Sequence, residues 1–97
     1  MKAAVLHEVN QPLQIEEVDI ADPSPREVLV RTRASGVCHS DLHFVEGLYT
    51  ASMPILLGHE AAGTVEAVGS QVHYVSPGDR VICCLSVFCG VCERCTT

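Results

Sequence analysis

Near the carboxyl end of this 97-residue chain, FCGVCERC sets Cys89, Cys92 and Cys95 at two-residue gaps. Three soft thiolates on one short loop can converge on a tetrahedral Zn(II), with the intervening backbone amides available to bond the sulfurs. A structural zinc takes four protein ligands, so a fourth must come from Cys83, Cys84, a histidine or further chain. An iron–sulfur cluster uses similar spacing, and free or disulfide-bonded thiols remain as other readings. Against a disulfide scaffold stand the clustering of these three cysteines and the lack of a visible export signal.

A second candidate set is Cys38, in GVCHSDLH, with the adjacent pair His59 and Glu60, in GHEAAGTVEAVG. Each has an ordinary explanation when taken alone. Cysteine is among the most buried side chains, and a histidine at a strand edge is usually satisfied by a backbone carbonyl. Ser40 reads as a helix N-cap, Asp41 as a favourable charge in the first turn, and His43 as a solvated helix residue. Gly58, Gly63 and Gly69 mark places where backbone turns or packs closely, since glycine otherwise weakens a strand. Their spacing lacks GxGxxG, so they do not make a phosphate loop. His7, His73, Cys83 and Cys84 fall in no motif and read as structural.

These residues need elements to hold them. Residues 2–7 read as a first strand and 13–20 as a second, its apolar positions alternating only roughly. DPSPRE, residues 22–27, is a turn, because proline removes ladder donors and stiffens the chain. Residues 27–34 make the clearest strand: Val28, Val30 and Thr32 alternate with Leu29, Arg31 and Arg33. A short helix follows Ser40 and stops at Gly47. Residues 60–68 return to strand character, and SPGDR turns the chain into a last strand at 81–85. The pattern predicts a mostly β domain with one short helix, arranged as a small closed or partly closed barrel that hides its strand edges.

Composition narrows the function. The chain is 47% hydrophobic, enough for one small core, and its formal charge is −6 with six scattered Lys and Arg. That charge excludes nucleic acid and anionic membrane as partners. The longest apolar run, residues 81–92, falls well short of the ~20 residues of a membrane span.

Taken together and in order, Gly-Val-Cys-His-Ser-Asp at 36–41, Gly-His-Glu at 58–60, Pro-Gly-Asp-Arg-Val at 77–81 and the triple-cysteine loop resemble the zinc-containing medium-chain alcohol dehydrogenases. The resemblance runs over residues 1–97 and implies the amino-terminal portion of a catalytic domain with a GroES-like, partly closed barrel. It implies that Cys38 and His59 bind a catalytic zinc, with Glu60 able to approach or exchange at the metal. Cys89, Cys92 and Cys95 become three ligands of a structural zinc. Ser40 takes the role of a proton relay, His43 its outer end, Asp41 the carboxylate that orients His59, and His39 a contact to the cofactor's pyrophosphate. The implied reaction oxidises a small alcohol to an aldehyde or ketone, with zinc as Lewis acid and NAD or NADP accepting hydride.

The family's third catalytic ligand, its fourth structural cysteine and its Rossmann cofactor domain would lie beyond residue 97. The 97 residues alone are therefore expected to be inactive, and a non-catalytic zinc-binding structural or interaction module is the competing expectation. Unpaired strand edges of an incomplete barrel predict aggregation or a homo-oligomer. A cytoplasmic location is expected.

Overall fold

Strand and helix boundaries follow where the chain can bury a face. The computed structural model describes residues 1–96, which form β1 (Lys2–Leu6), β2 (Gln14–Glu17), β3 (Val28–Ser35), α1 (His39–Glu46), β4 (Ile55–Leu56), β5 (Ala61–Val68), β6 (Arg80–Ile82) and α2 (Glu93–Thr96). All ladders are antiparallel. One sheet has the order β2-β1-β4 and the other β3-β5-β6. Among the described residues no ladder joins the two sheets, so the barrel is not closed.

The carboxyl end of β1 is covered on both faces, burying Val5 and Leu6, and Val65 of β5 and Val72 beyond it are the other buried apolar side chains among the described residues. Leu6 is fully buried, and truncating such a residue to alanine costs about 2–5 kcal/mol. At the end of β1, His7 Nε2 meets Glu16 Oε1 of β2. That exposed pair gives His7 the structural role the sequence suggests.

β3 lies where its alternation predicts and pairs with β5 from Val28↔Val68 to Ser35↔Ala61. Its register shifts between Leu29 and Val30 and again between Thr32 and Ala34, so the ribbon twists as it approaches Gly36. The second strand is shorter than expected. The strand covers Gln14–Glu17, with Val18 still bonded to Met1, and Leu13, Ile15 and Ile20 are exposed, because their rough alternation presents no continuous apolar face. The strand expected at 81–85 ends at Ile82, although Cys83 N–H still donates to Ala61 O at 2.9 Å. Two short elements lacked a sequence signal: β4, only two residues long, and α2, a single turn.

The helix stops as predicted. Gly47 adopts a left-handed conformation with φ 81°, and its N–H returns to the carbonyls of His43 and Phe44. Its start is two residues earlier than expected: Cys38, not Ser40, is the N-cap residue, with φ −112° and ψ 148°. No described helix is long and apolar enough to cross a membrane. All six cysteines are unpaired, so no disulfide scaffold forms.

Candidate metal centre

The end of β3 and the start of α1 supply one half of the first cluster, and the loop entering β5 supplies the other. Ser35 pairs with Ala61, and Gly36 N–H donates to Glu60 O at 3.1 Å, which draws His59 and Glu60 alongside residues 36–38. One ligand atom each from Cys38, His59 and Glu60 lies within 4.8 Å of the others. Cys38 and His59 are half-buried, whereas Glu60 is exposed.

Asp41 ties this cluster to the helix. Its Oδ2 accepts the Cys38 N–H at 3.3 Å and its Oδ1 lies 3.4 Å from His59 Nδ1. One carboxylate therefore holds the helix start and the imidazole together. With Nδ1 facing Asp41, His59 presents Nε2 to the cluster, 3.9 Å from Glu60 Oε1. The Ser40 hydroxyl donates to Cys38 Sγ at 3.2 Å and lies 3.5 Å from His59 Nε2.

These contacts set the charges. The Ser40 hydroxyl, then the Ser40 backbone N–H, then His59 hold the Cys38 thiol below the ordinary thiol range. Hydrogen bonding to the Cys38 sulfur raises His59; burial opposes that rise, and the charges of Asp41, Cys38 and Glu60 support it. Each contact thus favours the charged form of the group it touches. A cation bound by these two groups would need Cys38 as thiolate and His59 without a proton on Nε2, so its binding would be coupled to proton loss.

Soft sulfur and imidazole nitrogen, with a carboxylate on the far nitrogen to fix the tautomer, suit a borderline-soft cation such as zinc better than magnesium or calcium. The residues present therefore fit the metal that the sequence implies.

The second cluster is built differently. Cys89 Sγ lies 3.7 Å from Cys95 Sγ, and Cys92 Sγ 3.4 Å from Cys95 Sγ; all three are exposed, Cys89 and Cys92 before α2 and Cys95 within it. The backbone N–H groups of Val91 and Cys92, with the neighbouring Cys92 and Cys95 thiols, lower the Cys89 thiol to about 6. Three converging sulfurs, one of them ionised near neutral pH, suit a thiophilic cation. Cys83 and Cys84 do not join this cluster.

His43 and His39 stand apart from both. Among the described residues no hydrogen bond links Ser40 to His43. His43 packs edge-on between His39, at 4.7 Å between ring centroids, and Tyr49, at 5.1 Å. Its Nδ1 is buried and without a hydrogen-bond partner, a costly state that a hydrogen-bonding ligand would relieve.

A family profile described as the alcohol dehydrogenase GroES-like domain matches residues 24–97. The chain belongs to that family. Over 98 residues it is 53% identical to an alcohol dehydrogenase from Moraxella sp. (strain TAE123), covering 98% of this chain and 29% of the relative. The crystal structure of the alcohol dehydrogenase from the hyperthermophilic archaeon Aeropyrum pernix superposes with a TM-score of 0.86 at 42% identity, over 98% of this chain and 29% of that one. An alcohol dehydrogenase zinc-binding domain protein from Burkholderia ambifaria gives 0.90 at 42% identity, over 97% of this chain and 25% of that one. The chain thus spans less than a third of the length of these relatives.

Two residues of this GroES-like segment escaped the sequence reading. Gly36 lies against Glu60, where any Cβ would overlap the carboxylate. Its signal was the glycine two places before Cys38, in a motif read for its cysteine. Arg26 reaches from the proline turn to donate to Cys89 O at 3.0 Å, a pairing 63 residues apart that no local pattern announces.

Proposed function

We propose that this GroES-like segment contributes the metal-binding half of a zinc-dependent alcohol dehydrogenase. The observation that carries the reading is the meeting of Cys38 and His59, from separate elements, with Asp41 on the far nitrogen of His59. Zinc held there supplies a Lewis acid that polarises an alcohol hydroxyl, so that hydride can pass to NAD or NADP bound by the rest of the enzyme.

The chain's own residues have distinct tasks. Cys38 and His59 bind the cation, and Asp41 holds the His59 ring in the orientation that exposes Nε2. Glu60 stands beside both ligands with an exposed carboxylate and can approach or leave the metal. Ser40, within hydrogen-bond distance of the Cys38 sulfur, offers a hydroxyl that takes the substrate proton. His43 is the outer end of that relay, and its unpartnered Nδ1 needs a hydroxyl from substrate or cofactor to complete the path. His39, exposed at the start of α1, is a pH-sensitive contact for the cofactor's pyrophosphate. Cys89, Cys92 and Cys95 hold a second, structural zinc.

Cofactor binding is assigned to chain outside residues 1–97, since these 97 residues contain no strand-GxGxxG-helix unit. The isolated 97-residue polypeptide is accordingly inactive. Six free thiols suit a reducing, cytoplasmic setting.

A non-catalytic zinc module is the second reading, favoured by the thiol loop forming its cluster without help from Cys38 or His59. Metal analysis of the purified full chain separates the two. The dehydrogenase reading expects two zinc per chain and one after Cys38→Ala. A single zinc, unchanged by Cys38→Ala, would leave only the module.

A further inference from the structure

Glu60 has a long side chain, exposed at 45%, yet its Oε1 stays by His59. Its nearest ionisable partner is His59 Nε2 itself, 3.9 Å away. What shapes its position is the bare Cα of Gly36. A Cβ built at residue 36 would overlap Glu60 Oε2 and stand 3.1 Å from the Glu60 Cβ and 3.2 Å from its carboxyl carbon.

The two backbones are tied together on either side of this contact. Gly36 N–H is bonded to Glu60 O, the next pair outward is Ser35↔Ala61, and Cys38 is tied to Asp41 at the start of α1. Any side chain at 36 therefore displaces the carboxylate rather than the main chain. We propose that Gly36 is a positioning residue: its missing Cβ is the space that lets the Glu60 carboxylate lie within reach of Cys38 and His59. The inference rests on the reading of those two residues as metal ligands. It assigns to residue 36 control over how long a cation stays and how easily its carboxylate neighbour comes and goes.

The test uses the purified full chain loaded with zinc, and follows release of metal to a chelator. The relevant release phase is the one missing from Cys38→Ala protein. Gly36→Ala and Glu60→Ala should each speed that phase about tenfold or more, the scale of losses from groups that support metal ligands. The double variant should be no faster than Glu60→Ala. Cobalt(II) in place of zinc should show the same visible spectrum in all three variants, distinct from wild type.

Wild-type release from Gly36→Ala would overturn the proposal, as would an equal acceleration by Gly36→Ala in the Glu60→Ala background, which marks a backbone effect. If Gly36→Ala does not fold, the double variant decides: recovery of folding supports the collision, and failure of both overturns it. If Cys38→Ala lacks no release phase, the metal reading itself fails and the proposal falls with it.

Discussion

The two candidate metal sites of this segment gather their side chains in two ways. Cys89, Cys92 and Cys95 come together within one short exposed segment that runs into α2, where close spacing gathers the sulfurs and backbone amides lower the Cys89 thiol to about 6. Cys38 and His59 come from the two sides of a β-ladder and a helix start, and they are half-buried. The loop depends on local chain geometry; the half-buried site depends on the register of β3 and β5 and on one carboxylate. Failure should therefore spread differently from each.

The largest contrast is in catalysis. His59→Ala, made in an enzyme that joins this segment to a cofactor-binding domain, should remove one metal equivalent and lower turnover about a thousandfold or more, since the lost Lewis acid is worth several kcal/mol. Cys92→Ser should remove the other equivalent and lower the melting temperature, with the metal at Cys38 and His59 retained. Equal loss of both metals in either variant would show that the clusters are one cooperative unit.

Asp41 gives the next effect. Asp41→Asn should weaken metal binding at Cys38 and His59 by about 10- to 100-fold, measured by competition with a chelator, and leave the cysteine loop unchanged. It should also fray the start of α1, because the same carboxylate accepts the Cys38 N–H.

pH sharpens the contrast from the other side. In metal-free protein, alkylation of Cys89 should reach half its maximal rate near pH 6, not near the ~8.5 of a free cysteine. Because the folded loop lowers this thiol, its stabilising effect is fully present above the ordinary thiol range and is lost as pH falls through about 6. Peptide mapping of alkylated protein across pH checks this, and a midpoint near 8.5 would show that the amides do not face the sulfur.

Arg26→Ala should have the smallest effect. One exposed hydrogen bond to Cys89 O is worth about 1 kcal/mol, so metal release from the loop should quicken no more than about fivefold. Release from the half-buried site should not change.

The same division explains what the sequence disclosed. The cysteine loop was legible because its ligands are neighbours, and β3 because its alternation matches the pleat. The shared site was legible only through the ordered motifs around Cys38 and His59. Ser40 was a reasonable N-cap, but the cap lies at Cys38 because Asp41, three residues on, accepts that N–H. Asp41 has one oxygen on each neighbour: Oδ2 accepts the Cys38 N–H at the helix start and Oδ1 lies 3.4 Å from His59 Nδ1. Gly36 and Arg26 were hidden because each acts across a long sequence gap, on Glu60 and on Cys89, through contacts that no periodicity records. β4, two residues long, carries too little pattern to announce itself.

The account turns on where a cation settles. Crystals of the zinc-loaded full chain, with diffraction recorded on both sides of the zinc absorption edge, test this directly. The predicted result is an anomalous peak about 2.3 Å from Cys38 Sγ and about 2.0–2.1 Å from His59 Nε2, with Asp41 on Nδ1 and a second peak among Cys89, Cys92 and Cys95. A peak at the cysteine loop alone, with Cys38 and His59 turned away from each other, would contradict it.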